Sequence, residues 1–80
     1  LQNITLQGVS FMGAEETHAR FVAVSQTGAK ADCVLFRRAQ EWRSLLCSGE
    51  PVNLIGSIDV QQWQGRTRVQ LMIEEMREWN

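Results

Sequence analysis

Apolar and polar residues alternate along most of this chain with the two-residue period of half-buried β-strands. In the first segment Ile4 and Leu6 alternate with polar neighbours, so a strand is predicted from Asn3 to Met12. Gly8 interrupts the alternation, as it does where a barrel strand bends or bulges. The pattern therefore begins with a strand that is irregular near its middle.

Two further strands are predicted over residues 17–25 and 31–36. In the first of these, Phe21, Val22 and Val24 are residue types that favour β-structure. Between these strands Gly28 can adopt the positive φ that a tight turn requires. The first half of the chain thus indicates three consecutive antiparallel strands.

The period changes after Phe36, where the sequence RRAQEWRSLL follows a helical repeat. One stripe of that helix carries Ala39, Trp42 and Leu46, and we expect Trp42 to be a core residue. The helix is predicted to end at Gly49, which suits a left-handed cap, and Pro51 prevents its continuation.

The last third of the chain predicts a β-hairpin, because two alternating runs, 52–63 and 66–76, flank the dipeptide Gln64-Gly65. This turn fixes the register. The apolar side collects the facing pairs Val60 with Val69, Ile58 with Leu71, and Gly56 with Ile73. The polar side collects Trp63 with Arg66, Gln61 with Arg68, and Asp59 with Gln70. We expect the apolar side to be buried and the polar side to face solvent.

Three strands, a short helix and a hairpin predict a mostly β fold: a small five-stranded OB-like barrel with one short helix between strands 3 and 4. An SH3-like barrel and an open antiparallel sheet with one packed helix are the alternatives. The 80 residues suffice for one domain, and the start at Leu1 suggests a fragment of a longer protein.

Charge and cysteine content narrow the function. The formal net charge is −1, whereas proteins dedicated to nucleic-acid binding usually have a positive net charge. Binding to nucleic acid would therefore depend on local clusters of basic residues. Cys33 and Cys47 lack metal-ligand spacing and are expected to be buried free thiols in a reducing, cytoplasmic setting, with a disulfide between them as the alternative. The sequence has no apolar run long enough to span a membrane, and its first residues lack a basic and an apolar region, so we expect neither a transmembrane helix nor a signal peptide.

Residues for catalysis do not assemble from the sequence. The single histidine, His18, lacks a nucleophile and an orienting partner and is expected at the surface, at the start of a strand. The pairs Glu15-Glu16 and Glu74-Glu75 are adjacent in sequence, so on strands their carboxylates point apart. We therefore expect no catalytic residues, no metal site and no cofactor within these residues.

The polar side of the hairpin carries residue types that bind single-stranded nucleic acid. Trp63 offers an aromatic ring on which a base can stack, and Arg66 and Arg68 offer guanidinium groups for phosphates, as in proteins that bind single-stranded nucleic acid. The alternative is a cross-strand cation–π pair between Trp63 and Arg66 that only stiffens the hairpin.

Four other cations could extend this surface. Arg37 and Arg38 are expected at the N-terminus of the helix, where they oppose the helix dipole. Arg20 on the second strand and Lys30 in the turn after it could continue a basic track. Trp79, near the end of the chain, is expected to pack against another part of the parent protein.

The run from Val34 to Arg77 resembles the C-terminal OB-type domain of the bacterial single-stranded-DNA-specific exonuclease RecJ family. A sequence motif near the end of that family's domain contains W-x-G-R-x-x-x-Q-L, which this chain has from Trp63 to Leu71. The segment NITLQGV near the start of the chain is also similar to the way the family's domain begins. The positions that match are Gly49, Val52, Leu54, Trp63, Gly65, Arg66, Gln70, Leu71 and Ile73. Gln62, Gln64 and Asn53 depart from the pattern, which places the turn geometry in question.

The resemblance implies an accessory domain that holds single-stranded DNA and guides it to catalytic domains elsewhere in the parent chain. It implies that the parent is a 5′–3′ exonuclease of DNA repair and recombination, using Mg or Mn held outside this domain. It raises Trp63, Arg66, Arg68, Arg37 and Arg38 as DNA contacts. A barrel that docks on neighbouring domains or a partner, without touching DNA, remains the alternative; neither a membrane nor a small-molecule substrate is expected.

Overall fold

The computed structural model describes residues 1–79 and contains the predicted order of three strands, one helix and two strands. The elements are β1 (Thr5–Met12), β2 (His18–Val24), β3 (Lys30–Leu35), α1 (Arg43–Cys47), β4 (Val52–Trp63) and β5 (Arg66–Glu78). One sheet holds all five strands in the order β1-β2-β3-β5-β4. The β3–β5 pair is parallel and the other three pairs are antiparallel.

The two edges of this sheet meet only near the chain start. Ile4 and Val52 exchange backbone hydrogen bonds of 2.8 and 2.9 Å. Leu1 and Leu54 exchange two more, of 3.0 and 2.8 Å. A single antiparallel bridge, from Ile4 just before β1 to Val52 at the start of β4, therefore joins the two edges instead of a continuous ladder. The mostly β fold with a helix after strand 3 is confirmed, whereas a closed barrel is not, because the sheet remains open.

The core lies on one side of the sheet, which we call the inner face, and the opposite side is the outer face. α1 and the segment before it pack against the inner face through Ala39 and Leu46, with Trp42 packed at the margin of the core. The strands and Ile4, which precedes β1, contribute the other core residues: Ile4, Ala19, Phe21, Ala23, Cys33, Leu35, Val52, Leu54, Ile73 and Met76. The predicted core role of Trp42 is confirmed.

The helix is shorter than its sequence pattern predicts. Arg37 has a left-handed backbone (φ 66°), and the amide of Ala39 donates to the carbonyl of Thr17 at 3.0 Å. These features hold the chain against the start of β2, so the helix begins only at Arg43. The prediction that Arg37 and Arg38 lie at a helix N-terminus is therefore wrong. Gly49 has the expected positive φ, 74°.

The glycine positions and the hairpin register agree with prediction. The β1–β2 register shifts between Gln7 and Ser10, around Gly8 with φ 61°. At the hairpin tip Gln64 and Gly65 have φ values of 48° and 77°, both positive as a type I′ turn requires. All six facing pairs predicted for the hairpin are present in β4 and β5.

The distal half of the hairpin departs from prediction because it extends beyond its neighbours. β3 pairs with β5 only from Gln70 to Met72, so the strand before Gln70 pairs with β4 alone. We call residues 58–69 the hairpin arm. Its inner-face side chains Ile58, Val60 and Val69 remain 69, 56 and 53% exposed, so the expectation that this apolar side is buried is wrong for the arm.

The cysteines are both free, but only one is buried. Cys33 lies in the core between strands, and burial raises the pKa of its thiol to about 11. Cys47, at the last position of α1, is exposed. The expectation of two buried thiols is correct for Cys33 and wrong for Cys47, because the inner stripe of the short helix takes Leu46 instead.

Candidate nucleic-acid interface

The outer face of the hairpin arm presents an aromatic ring beside two arginines. Trp63 faces Arg66 across the type I′ turn, and Gln61 faces Arg68 two residues further along. Side chains alternate between the faces of a strand, so these four lie together, opposite the inner face. Trp63 is 69% exposed, although a tryptophan usually contributes its large apolar surface to a core.

The cation–π pair expected as the alternative does not form. Trp63 and Arg66 are in register, but the cation–π contacts found among residues 1–79 lie elsewhere: Arg38 over Trp42 and Arg43 over Phe11, each at 4.3 Å from the ring centroid. The indole face of Trp63 is therefore free to stack on another planar group.

The arm shares its outer face with the main sheet. Asp32 of β3 is in register with Gln70 of β5, and a guanidinium nitrogen of Arg68 lies 4.0 Å from an Asp32 carboxylate oxygen. Lys30 lies two residues before Asp32 and therefore on the same face, level with Val24 of β2. Arg20 is on this face too, opposite Val34. The structure thus brings five of the seven predicted contact residues onto one surface: Trp63, Arg66, Arg68, Lys30 and Arg20.

Acidic groups divide this surface. Asp32 pairs with Arg68, with about half of each side chain exposed, so the ion pair adds little to stability and remains exchangeable for another anion. Asp59 accepts a hydrogen bond of 3.2 Å from the Gln61 amide. Between the two aspartates lies Gln70, only 8% exposed, whose amide donates weakly to the Met72 sulfur at 3.8 Å. The cations consequently form two groups, one on the arm and one on β2–β3.

Of the arm cations, Arg66 is free of ion pairs with residues 1–79, and Arg20 and Lys30 are likewise unpaired within that range. Exposed unpaired guanidinium and ammonium groups can meet phosphate without first breaking an internal contact. These three side chains therefore keep their full capacity for an external anion.

Arg38 and Arg37 lie apart from this surface. The Arg38 guanidinium contacts both carboxylate oxygens of Glu41 at 2.8 and 3.2 Å and donates to the Glu74 carbonyl at 2.9 Å. The hydrogen bond from Arg38 holds the pKa of Glu41 below its usual value. Glu74 is six residues along β5 from Arg68, or about 20 Å. Arg38 thus ties the segment before α1 to β5, at a distance from the arm.

Arg37 contributes its backbone to a contact with His18. The Arg37 amide donates to His18 Nδ1 at 2.9 Å, while the imidazole meets Phe36 edge-on, with 5.4 Å between ring centroids. The side chain of Arg37 is exposed. His18 is therefore half-buried and occupied in holding the β3–α1 connection, where the sequence indicated a surface histidine.

Sequence reasoning missed two side chains at the tip. Gln62 and Thr67 face each other in the register next to the turn and line, with Trp63 and Arg66, a groove of about 360 Å³. The hairpin register places this pair one step from Trp63 and Arg66, which is the signal that could have found it. By strand alternation this pair lies on the inner face, so the tip offers amide and hydroxyl groups on the side opposite the indole.

The described residues do not provide a metal centre. Across residues 1–79, His, Cys, Asp and Glu side chains do not gather into a group of three or more that could hold an ion. Magnesium or manganese, as implied by the family resemblance, therefore finds no fitting ligand set among them. Within the same range no helix is long and apolar enough to cross a membrane.

Comparison with known proteins identifies the domain. The family model described as the RecJ OB domain matches residues 1–75. The chain belongs to the RecJ OB domain family. It is 27% identical over 81 residues to the single-stranded-DNA-specific exonuclease RecJ of Bacillus subtilis (strain 168), a match that covers 99% of this chain and 10% of that protein. The chain thus spans about a tenth of the length of that relative.

No solved structure matches the chain. The resemblance seen in W-x-G-R-x-x-x-Q-L is confirmed by the RecJ OB match, which includes the whole hairpin arm. A RecJ OB domain is a non-catalytic domain of an exonuclease. The match consequently supports an accessory role for these residues.

Proposed function

We propose that this RecJ OB domain binds single-stranded DNA through the outer face of its hairpin arm. The observation that carries the proposal is the exposed Trp63 beside Arg66 and Arg68, on a hairpin that projects from the sheet. A base stacks on the indole, and the guanidinium groups bind the neighbouring phosphates, as in single-strand-binding proteins generally.

The arrangement of the two cation groups supports this proposal. OB-folds bind oligonucleotides on the face of strands 2 and 3 and through the loops that join strands 1–2 and 4–5. Here the β4–β5 turn carries Trp63 and Arg66, and the outer face of β2–β3 carries Arg20 and Lys30. A strand that follows this surface passes from the arm to β2–β3, and Arg68 can exchange Asp32 for a phosphate on the way.

In the longer protein, we propose that the domain holds the strand and guides it to a catalytic domain in the same chain. That chain would be a cytoplasmic 5′–3′ single-strand exonuclease of DNA repair and recombination. Its Mg or Mn ions would be held by a separate catalytic domain, because the residues described here lack a suitable ligand cluster. Arg37 remains a proposed contact, whereas the Arg38 guanidinium is occupied within the domain.

A docking module is the second candidate, favoured by the exposed apolar residues on the inner face of the arm. The two functions differ in salt dependence, since phosphate contacts weaken steeply as ionic strength rises and apolar contacts do not. They also use opposite faces of the hairpin, so both can operate in one protein.

The first test is fluorescence anisotropy of a labelled single-stranded oligonucleotide of about 20 nucleotides, a length that spans the 4–16 nucleotides of an OB site. Wild-type binding should be salt-sensitive and stronger than binding to duplex. Trp63→Ala should weaken it by about 5- to 150-fold, because stacking contributes about 1–3 kcal/mol per base. Trp79→Ala removes the other exposed tryptophan and is the control. Equal affinity for Trp63→Ala and wild type would overturn the proposal.

A further inference from the structure

The inner face of the hairpin arm carries exposed apolar side chains and no charge. Ile58, Val60 and Val69 are each more than half exposed, and the other inner-face residues of the arm, Gln62 and Thr67, are neutral. The charged residues of the arm, Asp59, Arg66 and Arg68, all lie on the outer face. The two faces of one hairpin therefore differ in chemistry.

The apolar strip is continuous with the core. A groove of about 210 Å³ runs from the arm toward the sheet and is lined by Leu1, Leu54, Gly56, Ile58, Leu71 and Ile73. Leu54 and Ile73 belong to the core, and Leu71 packs against it. The inner face of the arm is thus an extension of the core surface that residues 1–79 leave exposed to solvent.

DNA is a poor occupant for this face. Binding of a strand requires cations for phosphates and, in most sites, aromatic rings for bases. The inner face of the arm has neither, whereas the outer face has both. An apolar polypeptide surface is the chemistry that fits Ile58, Val60 and Val69.

A second copy of this chain is also a poor occupant. A stable interface buries about 800 Å² on each partner, or some 20–30 residues a side, which exceeds what three aliphatic side chains supply. A domain linked to the arm in the same polypeptide needs much less area, because tethering gives an effective concentration in the millimolar range. The B. subtilis RecJ relative is about ten times the length of this chain, so most of such a protein is available for that contact.

We propose that the inner face of the hairpin arm is a docking surface for another domain of the same polypeptide, contacted through Ile58, Val60 and Val69. Docking on this face leaves the outer face, with Trp63, in solvent and sets its orientation relative to the rest of the enzyme. The proposal rests on the exposed apolar face and the length of the relative, and it does not depend on DNA binding by the outer face.

The test compares hydrogen–deuterium exchange of residues 58–69 in the isolated 80-residue chain and in the full-length parent. The arm pairs with no third strand, so its amides should exchange readily when it is undocked. We expect exchange at least about tenfold slower in the parent, since docking must be lost before the arm opens. Equal exchange rates in the two proteins would overturn the proposal.

The matched variant is Ile58→Thr/Val60→Thr/Val69→Thr, which keeps β-branched side chains and changes no charge. In the parent it should restore the fast exchange of the isolated chain, and in the isolated chain it should leave the circular dichroism spectrum unchanged. Slow exchange retained in the variant parent would contradict the proposal. So would a wild-type isolated chain that sediments as a dimer which the variant dissociates.

Two readouts separate this proposal from the proposed function. Trp63→Ala should weaken single-strand binding while the arm remains protected in the parent. The triple threonine variant should lose the protection while the isolated domain keeps its affinity for DNA. DNA affinity therefore tests the proposed function, and hydrogen-exchange protection tests the docking proposal, each independently of the other.

Discussion

The base of the β4–β5 hairpin, which comprises residues 52–57 and 70–78, follows the same alternation as the arm, yet the inner face of the base is buried and that of the arm is exposed. In the base, Leu54 and Ile73 are 1 and 6% exposed, whereas in the arm Ile58 and Val60 on the same face are 69 and 56% exposed. Alternation determines which face a side chain lies on. It does not determine whether another element covers that face.

The boundary between the two regions coincides with a bulge. The register shifts between Ile55 and Gly56, and a Cβ at Gly56 would collide with the backbone of Met72. The close approach of the two strands there requires glycine. Core residues pack against the inner face of the base. The arm lacks such packing because the pairing of β3 with β5 does not extend beyond Gln70. Beyond this boundary the arm extends away from the core, with both its inner and its outer face exposed to solvent.

Truncating the same face on the two sides of the boundary gives the largest expected contrast. Leu54→Ala should lower the free energy of unfolding by about 2–5 kcal/mol, because it opens a cavity in the core. Ile58→Ala, four residues away on the same strand and face, should change it by about 0.5 kcal/mol or less. Urea denaturation of the isolated chain measures both. Equal losses would show that the arm packs on the body.

Titration of the buried Cys33 thiol tests the core that the base of the hairpin shares with β3. Burial raises the pKa of Cys33 from its usual 9.0 to about 11, so the folded state keeps the proton more tightly than the unfolded state. Its contribution to stability is present below pH 9 and is lost as the pH rises from 9 to 11. The loss should be about 3 kcal/mol.

Denaturant midpoints at several pH values measure this loss, with two variants as controls. Cys33→Ala should flatten the decline between pH 9 and 11. Cys47→Ala removes an exposed thiol and should leave the decline as in the wild type. A decline of the same slope in Cys33→Ala would contradict a thiol buried in the core.

The smallest expected effect lies at the tip of the arm. Gln64 occupies a left-handed position, which asparagine tolerates better than glutamine. Gln64→Asn should therefore raise the free energy of unfolding by about 0.5 kcal/mol. Thermal denaturation measures this gain, and Gln62→Asn, which changes the same side chain at a strand position, is the control. Destabilisation by Gln64→Asn would argue against a type I′ turn.

Much of the fold follows from local signals in the sequence. Gly8, Gly28, Gly49 and the Gln64-Gly65 turn each marked a change of direction that the structure contains, and the turn alone fixed the register of the longest hairpin. These features depend on residues close in sequence, where backbone sterics decide the conformation.

Other features depend on contacts between distant segments and were beyond the sequence pattern. The late start of α1 follows from the bond between Ala39 and Thr17, and the exposure of the arm from the limited β3–β5 ladder. At the candidate site, alternation correctly placed Trp63, Arg66 and Arg68 on one face. The hydrogen bond from Arg38 to the Glu74 carbonyl could not be predicted, because Glu74 lies 36 residues away, whereas the ion pair of Arg38 with Glu41 is local.

The salt dependence of single-strand binding tests the central claim most directly, that the outer face of the arm binds the phosphate backbone. The slope of log K against log salt concentration becomes shallower by about 0.7 for each phosphate contact removed from single-stranded DNA. Arg66→Ala/Arg68→Ala should therefore flatten the slope by about 1.4 while the domain remains folded. Arg77→Ala, an exposed arginine on the same strand about 30 Å from Arg68, is the control and should keep the wild-type slope. An unchanged slope in the double variant would contradict the account.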